Sequence, residues 1–306
     1  MDYLSSLPGA INLGLIWCIA GIGVYISFKI LDIADLTVDG SFVTGAIIAS
    51  VVISNGGHFA LGMLLGFIGG VLCGLVTGLL HTLLGIPAIL SGILTQLALW
   101  SVNLIISKNS SLISISVRNH HLLFSQINVY DALWKAALIV GIVILVLYIF
   151  FGTQLGCSIR ATGNNEKMSR AQGINTKLAI VIGLALSNGI VALSGSLLAQ
   201  YQGFADINMG RGAIVICLSA IVIGSLLFSK IAKNFAVRLT SVVIGSVIYY
   251  LIYQTVIFFG LEANLMKLLT AIVVALFLGI PYIHKHYILR SKKIYMSSKL
   301  KKEAKN

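Results

Sequence analysis

Charge is what this chain has least of. Only 10% of its 306 residues are Asp, Glu, Lys or Arg, against 58% hydrophobic. A soluble domain of this length carries far more charge on its surface, so a soluble fold is excluded and an all-α polytopic membrane protein is expected. Acid is scarcer still, with nine Asp and Glu against 21 Lys and Arg. No clustered nucleophile, acid–base pair or metal site can be picked out, which argues against a membrane-embedded enzyme. The four cysteines, Cys18, Cys73, Cys157 and Cys217, have no metal-ligand spacing. Three of them lie in apolar stretches, where cysteine behaves as a small hydrophobe, so neither a disulfide framework nor a redox site is expected. Histidine is scattered; His120 and His121 adjoin, but without a carboxylate pattern they fit a solvated loop better than zinc. A Gly-x-x-x-x-Gly-Lys-Ser/Thr loop is missing, so ATP is not bound in the usual way. The first apolar run lacks a basic leader and a small-residue cleavage site, so no cleavable signal peptide is expected.

What the chain has in quantity is hydrocarbon. A membrane helix needs about 20 mostly apolar residues. On that basis about nine spans (eight to ten) are expected: Ile11–Leu31, Thr37–Ser54, His58–Leu84, Ile86–Ser107, Leu133–Phe151, Lys177–Gln200, Gly212–Phe228, Ala236–Phe259 and Leu265–Ile283. Thr37–Ser54 is short enough to be a half-helix that only partly crosses. His58–Leu84 is long, and its Gly62, Gly66, Gly69, Gly70, Gly74 and Gly78 are read as surfaces for close helix packing. Gln96, Asn103, Asn188, Gln200, Gln202 and Gln254 are read as hydrogen-bond partners between helices.

The segment Gly152–Lys177 is a polar island between two apolar runs, punctuated by Gly156, Gly163 and Gly173. That pattern suggests a short helix between turns. Its Arg160, Lys167, Arg170 and Lys177 mark the cytoplasmic side. Counting outward from it gives an external N-terminus and a cytoplasmic C-terminus. Lys29, Lys230, Lys233, Arg238 and the eight basic residues of the tail then fall inside as well. Only Lys108, Arg118, Lys135, Arg211 and Lys267 fall outside. Residues 1–283 are expected to form the transmembrane domain. Residues 284–306 form a basic cytoplasmic tail suited to anionic lipid headgroups rather than nucleic acid. Lys108–Asp131 would be the largest external loop.

Two stretches carry polar residues where spans should be. Ile33–Ser41 and Phe204–Gly212 align as Ala-Asp-(Leu/Ile)-(Thr/Asn)-(Val/Met), with Asp35 and Asp206 separated by 171 residues. The charge count puts the first inside and the second outside, as an inverted repeat with broken helices would. The other reading is two ordinary loops with helix N-caps. Acidic residues this close to hydrocarbon are costly. Asp35, Thr37, Asp39, Gly40, Asp206, Asn208 and Gly210 are therefore the candidates for lining a solute path.

Three stretches together resemble permease subunits of bacterial ABC importers in the branched-chain amino acid and simple-sugar permease superfamily. They are IADLTVDGSFVTGA at Ile33–Ala46, the Thr153–Asn175 segment with SIRATGNNEKMSRAQGIN, and QYQGFADINMGRGAIVICLSAIVIG at Gln200–Gly224. The first and third are most similar to a subgroup linked to amino-acid uptake, including tryptophan and related aromatics. The resemblance implies a bacterial plasma-membrane protein without a cofactor. Its partners would be an ATPase subunit, an extracellular solute-binding protein, a second permease copy in a homodimer, and the surrounding lipids. It also implies that Arg160, Gly163, Asn164, Met168, Arg170 and Gly173 seat the ATPase. The expected solute is an amino acid or a similar small polar molecule. Two alternatives stay open: an ion-gradient carrier using Asp35, Asp39 and Asp206, and an ABC permease for a simple sugar or nucleoside.

Overall fold

The computed structural model describes residues 3–115, 122–228 and 234–259, with isolated helical positions at Leu268, Ala271, Ile272, Ala275 and Gly279. The chain divides into Met1–Gly260 and Leu261–Asn306. Apart from those positions the expected span Leu265–Ile283 lies outside the described residues, as do the basic tail, the adjoining His120 and His121, and Arg118, Lys230, Lys233 and Lys267.

In the first unit, helix follows helix: α1 (Tyr3–Tyr25), a π-helical turn (Ile26–Ile30), α2 (Val38–Ser54), α3 (Phe59–Thr82) and α4 (Ala88–Ile106). After a short strand β1 (Leu112–Ser114) come α5 (Val129–Gly152), α6 (Gln154–Asn164), α7 (Glu166–Ala171) and α8 (Thr176–Gln202). Strand β2 (Phe204–Asp206), α9 (Ala213–Leu227) and α10 (Phe235–Phe258) complete it. Six of these are long and apolar enough to cross a membrane: α1 with its π-turn, α3, α4, α5, α8 and α10. Helices α2 and α9 are apolar but shorter. Eight of the nine expected spans thus coincide with helices, although only six of those helices are of full crossing length.

The most buried helices are α1 and α8, which run antiparallel. The Ser194 hydroxyl donates to the Ile16 carbonyl at 2.8 Å, and the Ser187 hydroxyl donates to the Gly23 carbonyl at 2.7 Å. On the far side of α1, Ser246 of α10 donates to the Gly14 carbonyl at 2.8 Å. A serine bonded to another helix's carbonyl needs backbones in near contact, and small residues permit that approach. The stripe Gly62, Gly66, Gly70, Gly74 and Gly78 on α3 is buried. Its glycines press on α2 and α8; a Cβ on Gly70 would overlap the Ala192 side chain and the Asn188 carbonyl. The opposite face of α3 exposes Leu61, Leu64, Leu65, Ile68 and Leu72, the surface lipid would cover.

The two motifs follow opposite ends of the antiparallel α1 and α8 and meet within the bundle. Asp35 contacts Asn188, near the midpoint of α8, so α2 starts partway along the bundle. The second motif reaches the same region, because Asp39 at the start of α2 is bonded to the start of α9. Counting spans as full crossings hid this, since α2 and α9 begin where a polar segment dips between helices. Strands β1 and β2 pair antiparallel, with Leu112 opposite Asp206 and Ser114 opposite Phe204. They tie the segment after α4 to the second motif.

Candidate functional site

At the meeting of the motifs, carboxylate oxygens satisfy the backbone amides of the breaks. Asp35 Oδ1 accepts from the Thr37 amide at 2.9 Å and Oδ2 from Asn188 Nδ2 at 2.6 Å. Asp206 repeats the local half of this arrangement, accepting from the Asn208 amide at 2.6 Å. Thr37 bonds to Thr77 Oγ1 at 2.7 Å, and Thr77 donates to Thr95 Oγ1 at 3.0 Å. Ser41 donates to Asn188 Oδ1 at 2.7 Å. A buried polar network of this kind is stable only when its members are satisfied. Both Asp35 oxygens are, and Asp35 is only 2% exposed.

Asp39 acts across the fold. Its carboxylate accepts from the Gly212 and Ile214 amides at 3.0 Å each, capping α9 from α2. Gly212, at φ +88, turns the chain into that helix. A Cβ on Gly210 would overlap the Asp39 carbonyl, and one on Gly40 would lie 2.9 Å from Leu99 Cδ1. Gly210, which meets backbone, is therefore needed for close approach. Asp39→Ala leaves the first amides of α9 without their acceptor, which typically costs about 1 kcal/mol. The expected result is a lowered thermal midpoint for the detergent-purified protein, with a smaller loss for Asp39→Asn.

Beside this junction lies a cavity of about 340 Å³, lined by Asp39, Gly40, Gln96, Trp100, Asn103 and Arg211 among others. Of the candidates named from the sequence, Asp39 and Gly40 reach it. Asp35 and Thr37 are buried in the adjacent network, while Asn208 is exposed. Trp100 and Arg211 were not singled out. An aromatic within an apolar run reads as packing, and a lone arginine after a turn reads as topology.

The polar island forms a second candidate site. Thr153 caps α6 by accepting from the Gly156 amide at 3.3 Å, and Asn165 caps α7 by accepting from the Met168 amide at 3.0 Å. Asn175 caps α8 by accepting from the Leu178 amide at 3.2 Å. Gly173, at φ +84, makes the turn between α7 and α8, a conformation that favours glycine. Arg160 donates to the Phe151 carbonyl at 2.8 Å and lies over the Phe235 ring at 5.8 Å. Arg170 pairs with Glu166 at 2.5 Å and reaches Thr176 Oγ1 at 3.3 Å. Met168 stands 63% exposed. A Cβ on Gly163 would overlap the Ile30 carbonyl and reach within 2.8 Å of Leu31 Cα, so α6 rests on the end of the π-turn. Between them opens a cavity of about 660 Å³ lined by Lys29, Asp32, Arg160, Asn164 and Arg238 among others.

Apolar helices around a broken, polar centre, with a compact polar helix pair at one edge, define a membrane transport protein. The family model described as "Branched-chain amino acid transport system / permease component" matches residues 7–278. The chain belongs to that family: it is a multi-pass membrane protein and a permease component of an ABC-type importer. It is 37% identical to the tyrosine transport system permease protein of Clostridioides difficile (strain R20291), over 90% of this chain and 91% of the relative. It is 34% identical to the uncharacterized protein RP368 of Rickettsia prowazekii, covering 82% of this chain and 89% of the relative. A fructose import permease of Bifidobacterium longum is 25% identical, covering 78% of this chain and 67% of the relative.

Proposed function

We propose that this subunit imports an amino acid, that its core is an inverted repeat of broken helices, and that a separate ATPase drives it through α7. The observation that carries the coupling scheme is the seat of α6 on the π-turn at Gly163 and Ile30. Beyond Ile30 the chain enters the non-helical segment that holds Asp35, and then α2, whose first turn lines the 340 Å³ cavity. Movement of α6 and α7 by an ATPase would therefore be passed to the cavity wall through rigid elements.

The repeat is supported by contacts that map onto each other under the 171-residue offset. Adding 171 to one partner and subtracting it from the other turns Ile16–Ser194 into Ser187–Gly23, and both pairs are hydrogen-bonded. The same operation turns Asp39–Ile214 into Gly210–Val43, and both of these pairs are in contact. Each half runs long helix, break, short helix, long helix: α1, α2 and α3, then α8, α9 and α10. The third helix of each half packs on the first helix of the other. Short helices whose N-termini converge carry partial positive charge to the centre, a common design for anionic groups of a solute.

In this reading the N-terminus is external, α6 and α7 are cytoplasmic, and the basic tail lies against anionic lipid. Residues Leu265–Ile283 add a ninth span. A second permease copy completes the path, and an extracellular binding protein delivers the solute. An amino acid is favoured by the tyrosine permease relative, which is more similar than the fructose permease. Arg160, already engaged by its own chain, positions α6. Met168, Asn164 and Arg170 face the ATPase.

The test is co-expression with the neighbouring genes, gentle purification, and uptake by proteoliposomes loaded with ATP. A stoichiometric ATPase and ATP-dependent amino-acid uptake are expected; uptake by this chain alone would overturn the scheme. Arg170→Glu places two carboxylates one turn apart on α7, and like charges at that spacing repel by about 0.5 kcal/mol. Because so small a cost leaves the fold intact, a several-fold loss of uptake with normal insertion is expected, partly restored in Arg170→Lys.

A further inference from the structure

We infer that the cavity between α2, α4 and the turn before α9 is a binding site for a zwitterionic amino acid with an aromatic side chain. The inference rests on the reading of the chain as an amino-acid importer and names the site and its ligand class. The cavity, at about 340 Å³, falls in the range of small-ligand pockets, about 300–1,000 Å³.

Its charges come in a pair that do not neutralise each other. Asp39 and Arg211 both line it, yet the ion pairs among the described residues are Lys135–Asp131 and Arg170–Glu166. A free amino acid brings one charge of each sign and can meet both. The Asp39 carboxylate accepts the Gly212 and Ile214 amides, and with about four acceptor positions it can also take an ammonium group. Arg211 offers the forked donor that matches a carboxylate.

One further group lining the cavity points to a ligand. Trp100, on the same wall, is 48% exposed and presents a ring for offset stacking. A neutral sugar would leave both charges unmet, and an aliphatic amino acid would leave the indole without a ring partner.

The experiment uses the full complex of permease, ATPase and binding protein in proteoliposomes, with radiolabelled L-tyrosine and L-leucine as probes. The same binding protein is used throughout, so changes in KM belong to the permease. Trp100→Ala is expected to raise the KM for L-tyrosine at least tenfold more than that for L-leucine. Arg211→Gln should raise both alike, with partial recovery in Arg211→Lys. Trp134→Ala, on the exposed face of α5, should change neither. If Arg211→Gln fails to assemble, Trp100→Ala and Arg211→Lys decide the matter. Uptake of L-tyrosine with unaltered KM in both Trp100→Ala and Arg211→Gln overturns the site while the importer reading stands. Uptake of fructose and of neither amino acid overturns the reading itself, and the inference with it.

Discussion

Gly74→Leu is expected to remove the protein from the folded, monodisperse fraction altogether. The residue lies in the buried stripe of α3, where that helix meets α8. A Cβ there would overlap the Leu184 carbonyl and sit 2.8 Å from Ala185 Cα. Those are backbone atoms of the most central helix, so no side chain can rotate away to make room. Overpacking a core costs about 1–3 kcal/mol where side chains can shift, and the cost rises when backbone must move instead. α8 also carries Asn188, Ser187 and Ser194, whose bonds reach the first motif and α1. A displaced α8 would break all three. The measurement is size-exclusion recovery and thermal midpoint in mild detergent, with Leu72→Ala on the exposed face of α3 as the control. Native-like recovery of Gly74→Leu would mean that α3 and α8 are not packed as described.

Most of the helices were legible in the sequence because the run-length rule needs no tertiary information. Thr37–Ser54 was flagged as too short to cross, and α2 ends at Ser54 as read. Helix starts were less legible: α1 begins at Tyr3 rather than Ile11, with Pro8 inside it, and α5 begins at Val129 rather than Leu133. A proline inside an apolar run reads as a helix boundary, so Pro8 masked the start of α1. Asn188 was read as a partner between helices, and it bonds to Asp35 and Ser41. Which partner it takes could not be read, because Asp35 and Asn188 are 153 positions apart. The meeting of the two motifs was hidden for a related reason. Topology counting assigns a polar break to a membrane face, whereas a break held by side-chain caps can sit inside the bundle. Arg211 was counted only for its sign, yet its place in the cavity wall depends on Gly210 bringing the second motif onto Asp39.

Gly163→Leu is expected to give an inserted, folded permease whose uptake falls at least tenfold. The position differs from Gly74 in what yields. Gly163 lies at the end of α6, against the Ile30 carbonyl and the Leu31 Cα. α6 and α7 are short polar helices at the edge of the bundle, held by Thr153, Asn165 and Asn175 caps. A leucine there can be accommodated by tilting α6 away from the π-turn, and the caps would survive that tilt. What would not survive is the contact through which α6 bears on the segment leading to Asp35 and α2. In the proposed coupling scheme an ATPase could still bind α7, but its closure would no longer reach the cavity wall. Two readouts separate this from simple misfolding. The thermal midpoint and ATPase stoichiometry should stay near those of the unaltered complex, while stimulation of ATP hydrolysis by solute-loaded binding protein is lost. Gly163→Ala should give an intermediate loss, since even a Cβ meets the Ile30 carbonyl. Full uptake and full stimulation in Gly163→Leu would show that force enters the bundle elsewhere, and the α6 seat would then be packing alone.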